Sequence, residues 1–534
     1  MKRPSHVAEA TAGKRILLTQ ELLQDIGYED TEVLEMLRSG ATLAGDIQKC
    51  PVFHEQFKPC LITLQQLEST APRRNEMILN MTRSSGDKEL DQKLLDETRE
   101  ELRCGWAEGP FDPSNLERGA SISRRFSLVQ GSKTRMIDDF SVSGVNDSCT
   151  SRNKIDFHMI DTFAAVVRRY YQVMADKNQH TFLEAKTYDL KSAYRQVPIR
   201  ESRLKYAYFS VFNWEKGRAE VYRLKTLPFG ATHSVYVFLR LARMLYAIMT
   251  RALHLVRTNF YDDFLLASDP DLEESSRNSM ELVVFMLTGW DFDRQGKKAT
   301  QFSTVRKALG VCFDLSSSGE RLLKVDNTEK RKLELSELIQ RYLDEGRIGK
   351  QECLVLRGRL GFADSFIHVR LGSVLLKQLS EHAYGRNGKL DPDLRLSLES
   401  MKNRLSTAGP RIVSAEVDQQ WFIYTDAAYE PESGTGGLGA VLVDQSASIV
   451  AWFGIPLSKE ECVRFGSKQK EAIIYELELL MHSFERMEQV RLLANYWHST
   501  SVGNQCRLQW FGSLEFLLKP TLVIFLQEDN LTLC

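Results

Sequence analysis

The stretch Asn259-Phe260-Tyr261-Asp262-Asp263-Phe264-Leu265-Leu266-Ala267 decides how this chain is read. Two adjacent aspartates interrupt an apolar run. Taking a bare carboxylate out of water costs several kcal/mol, so such groups need a partner or a metal unless they sit at a solvated turn. Strand, turn and strand would put both at a hairpin tip, where aspartate is a common turn residue. The pair gains meaning from a second acid. Residues 181–189 (TFLEAKTYD) read as a strand ending in Asp189, followed by a turn and the aromatic Tyr194. Between the two acidic strand ends, Leu227-Pro228-Phe229-Gly230-Ala231 opens a long apolar helix over residues 232–249.

Working outward, residues 124–130 (RRFSLVQ), the turn GSK and residues 134–140 (TRMIDDF) alternate as a hairpin with basic residues at and beyond its turn. Before it lie two helical runs. Residues 18–40 have apolar positions at helical spacing with Gly40 as a stop, and residues 90–106 form an amphipathic helix. A Pro/Gly-rich linker, residues 109–120, joins them to the hairpin. Residues 326–408 return to helices, for example 328–346. Three strand-like segments (421–426, 437–444, 448–455) and a helix over 468–487 follow. Periodicity is lost after about residue 490.

The composition is that of an ordinary globular protein: 534 residues, 43% hydrophobic and 26% charged. It excludes a wholly disordered chain and a small disulfide scaffold. The nine cysteines are scattered, with no CxxC pair and no zinc spacing, and read as reduced thiols. No run approaches the ~20 apolar residues of a membrane helix, and the basic N-terminus lacks an apolar signal core. The expectation is an intracellular protein of nucleus or cytoplasm, not secreted and without a membrane partner. The net charge of −1 hides an asymmetry: residues 151–258 carry 19 Lys and Arg against 8 Asp and Glu. Such a block suggests a polyanion surface, or else a face balanced by acidic neighbours.

The ordered set of motifs resembles the reverse transcriptases. Asp189 matches the aspartate of their motif A, Asp262 and Asp263 match the YxDD hairpin of motif C, and Leu227–Ala231 matches motif B of gypsy-like and tyrosine-recombinase-type retrotransposons. Arg124-Arg125-Phe126, Lys133-Thr134-Arg135 and Ile137-Asp138-Asp139-Phe140 fit the family's basic fingers hairpin. Leu287 through Lys298 resembles motif D, Ala308–Val311 the primer grip, and residues 356–372 the thumb-to-connection region. One departure is that Tyr261 directly precedes the aspartates, where the family pattern has its Tyr one residue earlier and this chain has Phe260.

The resemblance implies an α+β right-hand polymerase of fingers, palm and thumb, followed by an incomplete RNase H-like α/β domain. Residues 1–118 would be a helical region of unknown role, 119–325 fingers and palm, and 326–415 a helical thumb/connection. Residues 416–490 would be the partial RNase H-like domain. Residues 491–534 would be an irregular tail, read as a truncation, an unremoved intron or a shifted frame. The implied activity is RNA-directed DNA synthesis: two Mg²⁺ ions, or Mn²⁺, assist attack of a primer 3′-hydroxyl on a deoxynucleoside triphosphate, with an RNA or DNA template. Asp189 and Asp262 would bridge the metals, with Asp263 auxiliary and the Leu190 carbonyl a further ligand. Arg125, Lys133 and Arg135 would neutralise the triphosphate. Tyr194 would exclude a ribose 2′-hydroxyl, Phe229 and Gly230 would line the nucleotide pocket, and Lys298 would protonate pyrophosphate.

Residues 423–428 (IYTDAA) and 436–441 (GGLGAV) resemble the opening of an RNase H domain, with Asp426 ending its first strand. Glu478, with Glu476 as rival, is the expected second acid. Asp529 comes late, so RNase H activity is not expected. Two other readings stand beside the polymerase: a catalytically decayed nucleic-acid-binding descendant, and a viral RNA-copying polymerase, which the LPFGA motif disfavours.

Overall fold

A computed structural model of the chain describes residues 3–130, 133–294, 300–365, 372–385, 388–415, 422–443 and 448–465. It is a mixed α and β structure that divides into two compact units, Met1–Lys324 and Val325–Cys534. Among the described residues, no helix is long and apolar enough to cross a membrane.

Two sheets organise the first unit. A five-stranded sheet has the order Ala107–Phe111, Arg218–Leu224, Tyr208–Asn213, Ile122–Gln130, Lys133–Asp139. Its last two strands form the expected basic hairpin, and only the contact between Ile122–Gln130 and Tyr208–Asn213 is parallel. A three-stranded antiparallel sheet has Asp263–Ser268 in the centre, between Glu184–Asp189 and Val256–Phe260. The helix Thr232–Ala247 is apolar on nearly every side because it is buried on nearly every side, from His233 to Ala247. Leu241, Met244 and Leu245 on this helix join Phe264 and Leu266 of the central strand in one core.

The N-terminal residues follow the helical expectation with one difference. The run over residues 18–40 is not one helix: Ile16–Asp25 ends at Gly27, whose φ of 59° is the left-handed stop that glycine supplies cheaply. A short helix, Glu35–Arg38, follows. The helix Leu64–Met81 starts at a reciprocal cap, in which Thr63 Oγ1 accepts the Gln66 N–H and Gln66 Oε1 accepts the Thr63 N–H. The helix Lys88–Arg103 matches its sequence reading, capped by Asp87.

This region carries the counter-charge of the basic block. Among the described residues, acids from residues 9–117 pair with seven cations of residues 151–258. The pairs include Glu9–Lys225 (3.1 Å), Glu29–Arg251 (3.0 Å), Asp30–Arg240 (2.5 Å), Asp46–Arg152 (2.8 Å) and Glu68–Lys205 (2.9 Å). Arg223 meets Glu108 and Glu117, and Arg195 meets Glu101. The asymmetry that suggested a polyanion surface is therefore in large part internal to this unit.

In the second unit the helices Glu329–Glu345, Lys350–Ser365, Ser373–Tyr384 and Pro392–Thr407 share one apolar core. Leu335 and Ile339, Leu356 and Leu360, Leu375 and Leu379, and Leu394 and Leu398 contribute to it at the four-residue spacing of a helix face. Three antiparallel strands follow, Phe422–Glu430, Thr435–Val443 and Ile449–Leu457.

Lys14 ties the N-terminus to the first unit. Its ammonium donates to Gln196 Oε1 (2.7 Å) and the Gly289 carbonyl (2.8 Å) and lies 3.9 Å over the Trp290 ring. Burial pulls its pKa down to about 7 against the opposing pull of Asp291. An unfolded lysine keeps its proton to about pH 10.4, so between these values the unfolded chain binds more protons. Stability should therefore rise with pH across that window. Urea midpoints between pH 7 and 10 should show this rise in the wild type, and a smaller one in Lys14→Met.

Candidate active site

Register brings the sequence-predicted acids together. Asp263 stands directly opposite Asp189 in the antiparallel ladder between Asp263–Ser268 and Glu184–Asp189. Directly opposed residues share a face, with Cβ atoms roughly 4.5–5.5 Å apart. The pair Phe260–Asp263 closes the other ladder, leaving Tyr261 and Asp262 as a two-residue turn. Three acids thus occupy one end of one small sheet.

Tyr261 makes the turn at φ 50°. Positive φ suits glycine and is an outlier for a bulky side chain; it costs about 1–3 kcal/mol and persists only where the surroundings impose it. Two neighbouring aromatic rings pack against it: Phe260 at 4.8 Å and Phe157 at 4.9 Å, centroid to centroid.

The strand end at Asp189 is fixed from the other side. Residues 291–293 run antiparallel to residues 189–191. Asp293 N donates to the Asp189 carbonyl (3.0 Å) and Lys191 N to that of Asp291 (3.1 Å). This bridge does not use the Leu190 carbonyl. Gln196 laces the two segments, donating to the carbonyls of Lys191 (2.9 Å) and Asp291 (2.7 Å) and accepting from Asp291 N (3.0 Å).

Tyr194 packs its ring against Phe238 (5.0 Å) and edge-on to Phe229 (6.2 Å). Burial raises the pKa of its phenol, and the nearby charge of Asp262 adds to that. Phe229 is exposed. Gly230 has φ 104°, and a Cβ there would sit 2.4 Å from the Asp138 carbonyl, so this position admits only glycine. Asn146 spans the turn. Its Nδ2 donates to the Gly230 carbonyl (3.1 Å) and its Oδ1 accepts from Thr232 N (2.8 Å).

Arg125 differs from its sequence reading. It does not offer its charge to a ligand, because its side chain is fully buried. Its Nε and Nη2 grip Asp138 at 2.7 and 3.0 Å, and its Nη1 donates to Glu101 at 2.7 Å. Arg195 meets the same Glu101 and donates to the Leu227 carbonyl at 3.2 Å. Burial alone would raise the Glu101 pKa, but the facing Arg195 and Arg125 outweigh it and hold it below its ordinary value. Arg135 is exposed on the same hairpin. The Lys133 side chain, Lys298, Glu476, Glu478 and Asp529 lie outside what the structure describes. Asp426 is exposed and does not end its strand, which runs four residues further to Glu430.

Sequence reading missed Glu101, Asn146, Phe157 and Gln196. Glu101 had a signal, because it continues the buried stripe Leu94, Thr98, Glu101 of its helix, where an acid requires a partner. The others carry no local signal, since each acts on a segment remote in sequence.

Among the described residues, no three His, Cys, Asp or Glu side chains are grouped as a metal centre. The donors present nevertheless suit Mg²⁺, which takes oxygen ligands and commonly uses one or two carboxylates with substrate phosphates and water.

No family model and no curated protein matches the chain. Solved structures similar to it in part include the following two. The foamy viral protease-reverse transcriptase in complex with dsDNA is 15% identical with a TM-score of 0.48, covering 89% of this chain and 86% of that one. Its dRH form, also in complex with double-stranded DNA, is 14% identical with a TM-score of 0.47, covering 90% and 73%.

The Glu101 cluster should be structural. Removing one member of a buried ion pair typically costs about 3–5 kcal/mol, because the remaining charges lose their partner. Glu101→Ala should lower stability on that scale in denaturant titrations. Arg135→Ala on the exposed side of the same hairpin should change it by less than about 0.5 kcal/mol. Equal effects would contradict this division.

Proposed function

We propose that the chain is an RNA-directed DNA polymerase of a retrotransposon-like element that extends a primer on an RNA or DNA template from deoxynucleoside triphosphates. The observation that carries the reading is the placement of Asp189, Asp262 and Asp263 at one end of one sheet, from strands distant in sequence. The gypsy-like or tyrosine-recombinase type rests on the LPFGA motif and on the resemblance of residues 356–372 to the thumb-to-connection region of the tyrosine-recombinase-type elements.

Asp189 and Asp262, with Asp263 beside them, would hold two Mg²⁺ ions. Bound there, these would activate the attacking 3′-hydroxyl and neutralise the leaving pyrophosphate. Catalysis of this kind is mostly positioning and charge neutralisation. Arg135, exposed on its hairpin, is the cation assigned to the triphosphate, with Lys133 and Lys298 as further candidates. Arg125 instead holds that hairpin against Glu101. Phe229 and Gly230 would line the nucleotide pocket, and Gly230 brings the backbone close to the hairpin at Asp138. Tyr194 would stand against the sugar as a steric gate. On this reading the five-stranded and three-stranded sheets of the first unit are fingers and palm, the helices of the second unit are a thumb/connection, and the three strands Phe422–Glu430, Thr435–Val443 and Ile449–Leu457 are the RNase H-like remnant.

Primer extension with Mg²⁺ tests the proposal. Asp189→Asn and Asp262→Asn should each lower the rate by about 10²-fold or more while the proteins stay folded. Template–primer binding without extension by the wild type would favour the decayed, binding-only descendant. Tyr194→Val should keep DNA synthesis and lower the preference for deoxynucleotides over ribonucleotides by about tenfold or more, the scale of one steric contact. Unchanged sugar preference in an active Tyr194→Val enzyme would move the gate elsewhere.

A further inference from the structure

The segment Asp156-Phe157-His158 precedes the helix Ile160–Asp176 and has no part in the motifs above. It lies against the acidic hairpin. Val256–Phe260 is one of the two edge strands of its sheet. Asn259, the residue before the closing pair Phe260–Asp263, directs its N–H away from the hairpin, toward His158. His158 Nδ1 meets that N–H at 3.3 Å. An edge donor that would otherwise be buried without a partner is thereby satisfied. One residue earlier, the Phe157 ring lies 4.9 Å from Tyr261 at 31° and 5.7 Å from Phe260 at 50°.

The segment is itself anchored. Arg243, on the buried helix Thr232–Ala247, binds the Asp156 carboxylate at 2.7 Å and lies against His158 Nε2. Tyr246 of the same helix packs edge-on to the His158 ring at 4.5 Å. Burial, with the charges of Arg243 and Arg257, holds the pKa of His158 down to about 3, so it stays neutral and keeps an acceptor nitrogen. A rigid helix thus reaches the hairpin tip through two side chains.

We propose that Phe157 and His158 are positioning residues for the acidic hairpin. His158 sets the edge strand through Asn259, and Phe157 holds Tyr261 in its positive-φ turn, so that Asp263 stays opposite Asp189 with Asp262 in the turn before it. Neither touches substrate. The catalytic consequence rests on the polymerase reading, whereas the structural consequence does not.

The test combines two measurements on the full chain. Hydrogen exchange of the peptide covering residues 256–268 reads the hairpin directly. It should speed up by about tenfold or more in Phe157→Ala and His158→Ala and stay near wild type in Phe157→Tyr, which keeps the ring. Primer extension at saturating nucleotide and template–primer should fall by about tenfold or more in Phe157→Ala, with template–primer affinity unchanged, and recover in Phe157→Tyr. Tyr261→Gly removes the φ penalty, so adding Phe157→Ala to it should slow extension less than Phe157→Ala alone does. Unchanged exchange in both alanine variants would overturn the proposal, as would full additivity of Tyr261→Gly and Phe157→Ala. A wild type that extends no primer, while exchange responds as described, would sink the polymerase reading and leave the positioning role standing.

Discussion

Glu101, Arg125, Asp138 and Arg195 meet where water is largely excluded, and their mutual neutralisation joins segments distant in the sequence. Glu101 comes from the helix Lys88–Arg103, Arg125 and Asp138 from the two strands of the basic hairpin, and Arg195 from the turn after Asp189. Any one of these charges left alone would face the full cost of burial. Together they hold the hairpin, the aspartate strand end and the turn before the buried helix in one arrangement, because Arg195 also grips the Leu227 carbonyl. The close approach of Gly230 to Asp138 depends on the same arrangement.

The acidic hairpin depends on it at one remove. Its aspartates are positioned by register against Glu184–Asp189, and that strand continues into the turn that carries Arg195. The tip then adopts a backbone angle that a tyrosine disfavours, and aromatic packing enforces it. Strain of this kind persists where several contacts over-determine a residue, and functional sites are where it concentrates.

The N-terminal region takes its meaning from the same electrostatics. Read alone, residues 1–118 offered helices without chemistry. In the folded chain their acids neutralise much of the basic block, and Lys14 seals the segment that runs beside Asp189. Removing this region would leave buried or half-buried cations such as Arg240 and Arg195 without their partners.

The residue types in the Asp262–Asp263 hairpin, the strand ending at Asp189 and the glycine turn before the buried helix were legible in the amino-acid sequence. Acids in apolar strands, a glycine turn before an apolar helix and periodic leucines are local signals; Asp189 and the Asp262–Asp263 pair fell where their strands end, whereas Asp426 did not. The register that sets Asp263 opposite Asp189, the burial of Arg125 and the roles of Asn146, Phe157 and Gln196 were decided only by tertiary structure. The reason is physical. Whether an arginine is a ligand or a structural pin depends on what its guanidinium meets, and Glu101 lies 24 residues from Arg125 along the chain. The same holds for net charge, since 19 cations in one stretch describe a surface only if no distant acid folds against them, and here several do.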